Sequence, residues 1–510
     1  MKIQRTYIRI SKNGKELKMN VITMSQKSEK GLNGIKLLFW LLAIFSIMLS
    51  IFIWMDSQKP TYYGVLPFLP LSFCILSYAI LCIYDDFKQK ITFWILYLGY
   101  FFRFSIVPFI MFLGDYQAKA TNYDIYNNMN QAIFIMIYDM CCIWFTFYMF
   151  NLIRKKNQKE KNMQEEYFFE INYRWAWILI FIILGVAIVC FVKQPLLIHM
   201  FSFFLTTSSE SLQQTDELIR MMEQLVPNSY YSISKLCVDT LRFILPIIFI
   251  LKINQFKGFS SNIKFLLSLM IILLFGLVIT LDRAFTVFSI ISLLFILYYL
   301  HPKKKKSLNL ILILGLFVFV VGGLLVVTGV FNDPNENVWI GISKTVQAYF
   351  TGPVNFAAAI NLGYGHFSSI IPDIGKSITG VAVFFKEHVN IKALFNAEYY
   401  YNSSLSGHII PSAGHGYYYF GTLLSPVLSC FIVYLAINLE VRMQQSFNLL
   451  SKYVYIVGVL ISSLSLIIYN FVIFINLITS LFIPLLIFSY ISTNLAAKSI
   501  RKKSIGMKDE

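Results

Sequence analysis

Apolar runs of roughly 17–25 residues recur along the chain, each long enough to cross a hydrocarbon core of ~30 Å as a helix. They leave few folds open, because in such a core each segment has to satisfy its own backbone N–H and C=O groups, which a helix does. The candidate spans are 37–55, 64–84, 91–114, 131–153, 176–193, 236–255, 265–281, 284–300, 309–331, 417–439, 453–471 and 472–492. Each of the tight pairs 265–300 and 453–492 is open to a second reading, one helix plus a re-entrant piece. The composition agrees with membrane residence: 57% of residues are hydrophobic, 14% are charged, and the mean hydropathy is +0.65, too apolar for a soluble protein. The expectation is an all-α polytopic integral membrane protein of about 12 transmembrane helices.

The first run begins near Leu37, behind a basic stretch, and no small-residue cleavage site follows it. It is therefore expected to be a retained helix and not a removed signal peptide. Lys and Arg in short loops collect on the cytoplasmic side, which tests the span count. With both termini in the cytoplasm, 31 of the 43 Lys and Arg fall in cytoplasmic segments and 10 outside, with Arg103 and Arg242 inside spans. The chain then divides into a basic cytoplasmic tail (1–36), helices 1–9 (37–331), a large extracytoplasmic helical loop (332–416), helices 10–12 (417–492) and a second basic tail (493–510). The net charge of +17 is spread among loops on one side of the membrane, which argues against nucleic acid as a partner, since a nucleic-acid binder gathers its cations on one soluble face.

The 332–416 loop is the longest polar interruption, and it carries Asp, Glu, Lys, several His and a Tyr cluster. Apolar residues at 338, 339, 342, 346 and 349/350 predict a helix with an aromatic face. Gly352-Pro353 breaks it, and another apolar helix begins at Val354; Pro372-Asp373 and Asn402-Ser403-Ser404 are further breaks. A small helical cap lying on the membrane is expected. A second outside segment, 194–235, contains an amphipathic stretch from Asp216 to Glu223. All seven Cys (74, 82, 141, 142, 190, 237, 430) sit in or at the ends of spans, so packing and not disulfides must order these loops.

Several chemistries lose support because their signatures are missing: HExxH, CxxC, DxD, the P-loop and GxSxG do not occur. No metal site and no cofactor are expected. What remains is a set of cationic, His and acidic residues at the outer ends of helices. Arg283, at the turn between two spans, offers a fork of donors that fits phosphate oxygens; the plainer alternative is an Asp282–Arg283 pair within the turn. Arg242 and Asp239 lie one turn apart and can neutralise each other. Arg103 falls mid-span, where an uncompensated charge costs several kcal/mol, so it must face a cavity or a partner. His415 has the side chain that most often accepts a hydroxyl proton near neutral pH, although a single loop His is more often structural. Tyr417-Tyr418-Tyr419 reads as an interfacial aromatic belt in preference to a sugar platform.

Tyr349-Phe350-Thr351-Gly352-Pro353-Val354-Asn355-Phe356, Gly414-His415-Gly416-Tyr417-Tyr418-Tyr419-Phe420-Gly421 and Asp282-Arg283-Ala284 at a helix turn, taken in that architecture, resemble the Wzy-type oligosaccharide repeat unit polymerases of bacterial surface polysaccharide pathways. The Arg-Ala turn and the later His also resemble O-antigen ligases, whose His is usually followed by Asn where Gly416 stands here. The resemblance implies transfer of a growing glycan from one undecaprenyl pyrophosphate carrier to a sugar hydroxyl held on a second carrier, at the outer face of the bacterial cytoplasmic membrane, without metal or nucleotide. It also points to membrane lipids, a flippase and a chain-length regulator as partners. In that reaction Arg283 is the first choice for stabilising the departing pyrophosphate and His415 for the base. Arg242, Arg103, Lys344, Tyr349, Tyr418 and Glu398 are candidates for binding pyrophosphate or glycan. A flippase or transporter of lipid-linked oligosaccharide is the rival class, though such proteins usually show short loops and internal repeats, and no repeat is visible. A ligase shares nearly every feature.

Overall fold

The structure is a computed structural model that describes residues 24–87, 90–118, 120, 122–157, 171–203, 228–280, 283–312, 337–378, 380–385, 387–400 and 409–493. The described helices are α1 (Met24–Met55), α2 (Phe68–Phe87), α3 (Ile91–Phe101), α4 (Val107–Leu113), α5 (Met129–Asn157), α6 (Tyr173–Lys193), α7 (Asn228–Gln255), α8 (Ser261–Leu277) and α9 (Arg283–Leu300). Five short helices follow: α10 (Val338–Tyr349), α11 (Pro353–Asn361), α12 (Ile370–Ser377), α13 (Ile391–Tyr400) and α14 (Ser412–Phe420). The last long elements are α15 (Val427–Gln445), α16 (Leu449–Ser465) and α17 (Phe471–Leu477), which runs on through a π-helical stretch, Ile478–Phe482, to Thr493. Among the described residues the departure from helix is a short antiparallel pair, Phe201–Phe203 with Val278–Thr280.

Seven of these helices are long and apolar enough to cross a membrane: Lys36–Met55, Thr61–Cys82, Ile91–Leu113, Tyr123–Ile153, Tyr173–Lys193, Val427–Gln445 and Phe471–Thr493. An eighth is added if Phe285–Leu300 and Pro302–Leu312, bent by 112°, form one span. Ser261–Gly276 and Leu449–Ser465 are apolar but shorter, and most of the expected span 309–331 lies outside the described residues. Only 22% of the Tyr173–Lys193 window is buried although its mean hydropathy is 2.9. In water such a surface is untenable; against lipid it is the ordinary outer face of a bundle helix. The protein is therefore a helical, membrane-embedded chain.

Sequence sets the helix ends locally. Asn448 and Asn470 cap α16 and α17 by accepting bonds from Leu450, Ser451 and Ile473 N–H groups, and Asn337 caps α10 through Trp339 N–H. The π-helical stretch Phe102–Ile106 joins α3 to α4. Pro108 lies just beyond it and has no N–H to close the bond to the residue four back, which loosens the helix there.

The five short helices gather at one end of the bundle. α10 packs on α4, α11 on α5, α12 on α17 and α14 on α15. These contacts involve the last turns of the Ile91–Leu113 span and the first turns of the spans that follow. The fit is close: a Cβ at Gly114 would stand 2.5 Å from Ser343 Cβ on α10. One expected boundary is corrected here. Tyr417–Phe420 do not begin a membrane span but end α14, and the span starts at Val427, because Gly421, at φ +80°, closes the shorter helix. Of the second outside segment, residues 204–227, with the amphipathic stretch, lie outside the described residues.

Candidate functional site

Pro372 and Asp373 fall in the first turn of α12, and this turn buries the Asp373 carboxylate at 2% exposure. A buried carboxylate persists only when its oxygens are supplied with donors. Asp373 Oδ1 accepts from the Ile391 N–H at 3.1 Å and meets His388 Nε2 at 2.9 Å, and Oδ2 accepts from the Tyr419 hydroxyl at 2.8 Å. The loop from α12 to α13 is pinned again where Lys376 Nζ donates to the His388 carbonyl at 2.7 Å. In the tautomer that directs Nε2–H at the carboxylate, Nδ1 is the acceptor of the His388 ring. The His388 side chain is 23% exposed, so this oriented imidazole reaches solvent.

His415 is placed differently. It lies on α14 one turn before Tyr419 and has no exposed surface, with the Pro411 backbone beside the ring. Burial pushes its pKa down to about 4, against the opposing pull of the Asp373 charge. It is thus a neutral imidazole behind the carboxylate, without access to solvent. The two glycines beside it have packing duties. A Cβ at Gly416 would fall 2.0 Å from the Ser425 carbonyl oxygen, and one at Gly414 would fall 2.8 Å from Ala359 Cβ on α11. A side chain at 416 cannot be accommodated without displacing that backbone.

Tyr417, Tyr418 and Tyr419 are all buried, so the run is not an aromatic belt facing lipid. Tyr418 stacks on the exposed His366 ring at 4.3 Å and 12°, and Tyr417 meets Tyr364 edge-on at 5.8 Å. Burial and the Asp373 charge raise the Tyr419 pKa, which keeps its proton on the bond to Asp373.

Glu398, on α13, sits in a carboxamide cluster. Its Oε1 accepts from Asn122 Nδ2 at 2.6 Å and from Asn361 Nδ2, while Asn128 Nδ2 donates to Asn361 Oδ1 at 2.9 Å. Three segments of chain meet at this one carboxylate oxygen.

Among the cations, Arg103 acts as a staple. Its Nε and Nη2 donate to the Thr351 carbonyl at 3.3 and 3.1 Å, Nη1 donates to the Leu466 carbonyl at 3.2 Å, and the guanidinium lies 5.1 Å over the Phe356 ring. Thr351 has φ +46°, a left-handed conformation that a β-branched residue rarely adopts, and Arg103 holds it. This buried charge is met by a pair of carbonyls and by the charge of the buried Asp139 carboxylate on α5. Arg242, buried on α7, donates to Thr286 Oγ1 on α9. Thr286 lies one turn after Arg283, the first residue of α9, so the two arginines come to the same helix start. The Arg283 and Tyr349 side chains lie outside the described residues, and Lys344 is half-buried on α10. Asn476 Nδ2 on α17 donates to the Ser377 carbonyl at the end of α12, and the π-helical continuation of that span lies against α7. The Asp373 cluster and the Arg242 helix therefore flank one span.

Sequence reasoning did not single out His388, Asn122, Asn128 or Asn361, and read Asp373 only as a break. The available signal was weak: an Asp in a first helical turn and a His fifteen residues later. Compared with protein-family models, with curated proteins and with solved structures, the chain has no significant match to any.

Proposed function

We propose that this protein is a membrane glycosyltransferase that joins lipid-pyrophosphate-linked oligosaccharide repeat units into a polysaccharide, as its resemblance to the Wzy-type polymerases implies. The reading includes twelve spans with both termini in the cytoplasm, and so puts the end of the bundle bearing α10–α14 outside the bacterial cytoplasmic membrane. The observation that carries it is the Asp373–His388 pair, a carboxylate-oriented and solvent-reaching imidazole at that end. His388 takes over the proton-accepting role that the sequence assigned to His415, because His415 has no exposed surface.

In the proposed reaction a hydroxyl oxygen of the acceptor sugar attacks the anomeric carbon of the donor. Its proton passes to His388 Nδ1, and Asp373 stabilises the resulting imidazolium. The bond from the anomeric carbon to the pyrophosphate oxygen breaks, and that oxygen departs with the electron pair. Fixed cations stabilise the charge that builds on it, a role for Arg283 with Arg242 beside the same helix start. Metal, nucleotide and cofactor have no part in the scheme. Membrane lipids, a flippase and a chain-length regulator are its expected partners.

Purified protein in liposomes with lipid-linked repeat units tests the proposal. Chain lengthening without translocation supports it. Translocation without lengthening identifies a flippase instead, and transfer to a different acceptor identifies a ligase.

A further inference from the structure

Between the Glu398 cluster and the His388–Asp373 pair lie polar and aromatic side chains, joined in pairs by hydrogen bonds and ring contacts. Asn128 bonds Asn361, which bonds Glu398. Gln131, exposed in the first turn of α5, reaches the Tyr417 hydroxyl. The Tyr417 ring abuts Tyr364, and the Tyr418 ring next to it stacks on His366 and bonds Ser369 through its hydroxyl. Tyr419, next again, bonds Asp373. At the far end Tyr126 is 4.8 Å from Tyr62 and 6.2 Å from Tyr123. Several of these rings are open to solvent: Tyr364 is 69% exposed, Tyr123 is 81% exposed, and His366 is exposed.

We infer that this band is a carbohydrate-binding track that holds a short run of uncharged sugars leading to His388. A pyranose offers apolar C–H faces and a rim of hydroxyls, so it needs flat rings to lie on and amide or carboxylate groups at its edge. The track supplies both in alternation. A lipid-facing aromatic belt needs only the rings, and gives no reason for a carboxylate and three asparagines to be gathered beside them. The charge also selects: Glu398 and the exposed Asp124 lie at one end, so a uronic acid or a phosphorylated sugar is repelled there. The inference rests on the proposed reaction only for its direction, since it gives the glycan a place to lie.

Saturation-transfer NMR on the full chain in nanodiscs tests it, with chitotriose and maltotriose as neutral probes and trigalacturonate as the anionic one. The expected result is transfer to at least one neutral trisaccharide, weaker transfer to trigalacturonate, and a loss of affinity of roughly five- to tenfold in Tyr364→Ala, the size of one stacked ring. Glu398→Gln keeps the side-chain shape and should narrow the gap between neutral and anionic probes. Tyr364 is a surface ring, so its loss does not endanger the fold. Absence of transfer to either neutral probe, equal transfer in Tyr364→Ala, or preference for trigalacturonate in the parent chain overturns the inference. Failure of the polymerase reading looks different: neutral sugars still bind, and no lengthening occurs in liposomes.

Discussion

His388 and Asp373 meet at 2.9 Å between Nε2 and Oδ1, with the carboxylate buried and the imidazole reaching solvent. A carboxylate in this position fixes the tautomer and supports the protonated ring without itself giving up charge. Asp373→Asn preserves the shape but presents an amide, so chain lengthening should fall by about 10²- to 10⁴-fold, as should that of His388→Ala. The lengthening assay in liposomes measures both; wild-type rates in either variant end the assignment.

Arg283→Ala should abolish long-chain polysaccharide while the protein stays in the membrane. Gel profiles of the polysaccharide, read against protein in the membrane fraction, check this. Unchanged chain length removes Arg283 from its role.

His415 predicts a pH dependence of stability. Its folded pKa, about 4, is below the ordinary 6.5, so the unfolded chain binds the extra proton. Stability is therefore highest above pH 6.5 and falls as pH drops from 6.5 toward 4, by up to on the order of 3 kcal/mol. Melting temperatures in detergent between pH 7 and pH 5 should decline, and His415→Gln should decline less steeply. Parallel profiles for the two proteins would contradict the burial of this ring.

Gly416→Ala drives a methyl group into the Ser425 carbonyl, 2.0 Å from the ideal Cβ position, and backbone yields less readily than a side chain. A loss of about 1–3 kcal/mol is expected, seen as a lower midpoint of thermal unfolding. An unshifted midpoint would show that α14 does not lie so close to the 421–426 turn.

Arg103→Lys keeps the charge but cannot reach two carbonyls with a planar fork. Leaving Thr351 or Leu466 oxygen bare should cost about 1–3 kcal/mol, with Arg103→Ala costing at least as much. If instead stability holds and only lengthening falls, Arg103 belongs to the substrate and not to the scaffold.

Seven spans were legible because runs of apolar residues admit few structures in lipid; other expected runs fall on helices that are shorter or sharply bent, and most of 309–331 lies outside the described residues. Arg103 was legible as a charge in need of compensation. Its partners were not, since every residue carries a carbonyl, nothing in the sequence marks Thr351 or Leu466, and Asp139 lies on a different span. Glu398 stood out as an acid in a polar loop, yet Asn122 is 276 residues away, so only the fold unites them. Gly414-His415-Gly416 drew attention to its histidine. The structure shows that both glycines are fixed by backbone and side-chain crowding, and that the histidine in contact with Asp373 lies on a neighbouring loop.

The guanidinium that grips Thr351 and Leu466 reaches across 248 and 363 residues of sequence. Ribosomes deliver those carbonyls long after the third span has entered the bilayer. Throughout that interval neither native acceptor carbonyl has been synthesised, and the buried guanidinium has only the Asp139 carboxylate on the following span, with water or lipid headgroups, to shelter it. Assembly of this end of the molecule is therefore bound to be late, and truncation before residue 466 should leave the third span poorly seated however well the preceding helices insert.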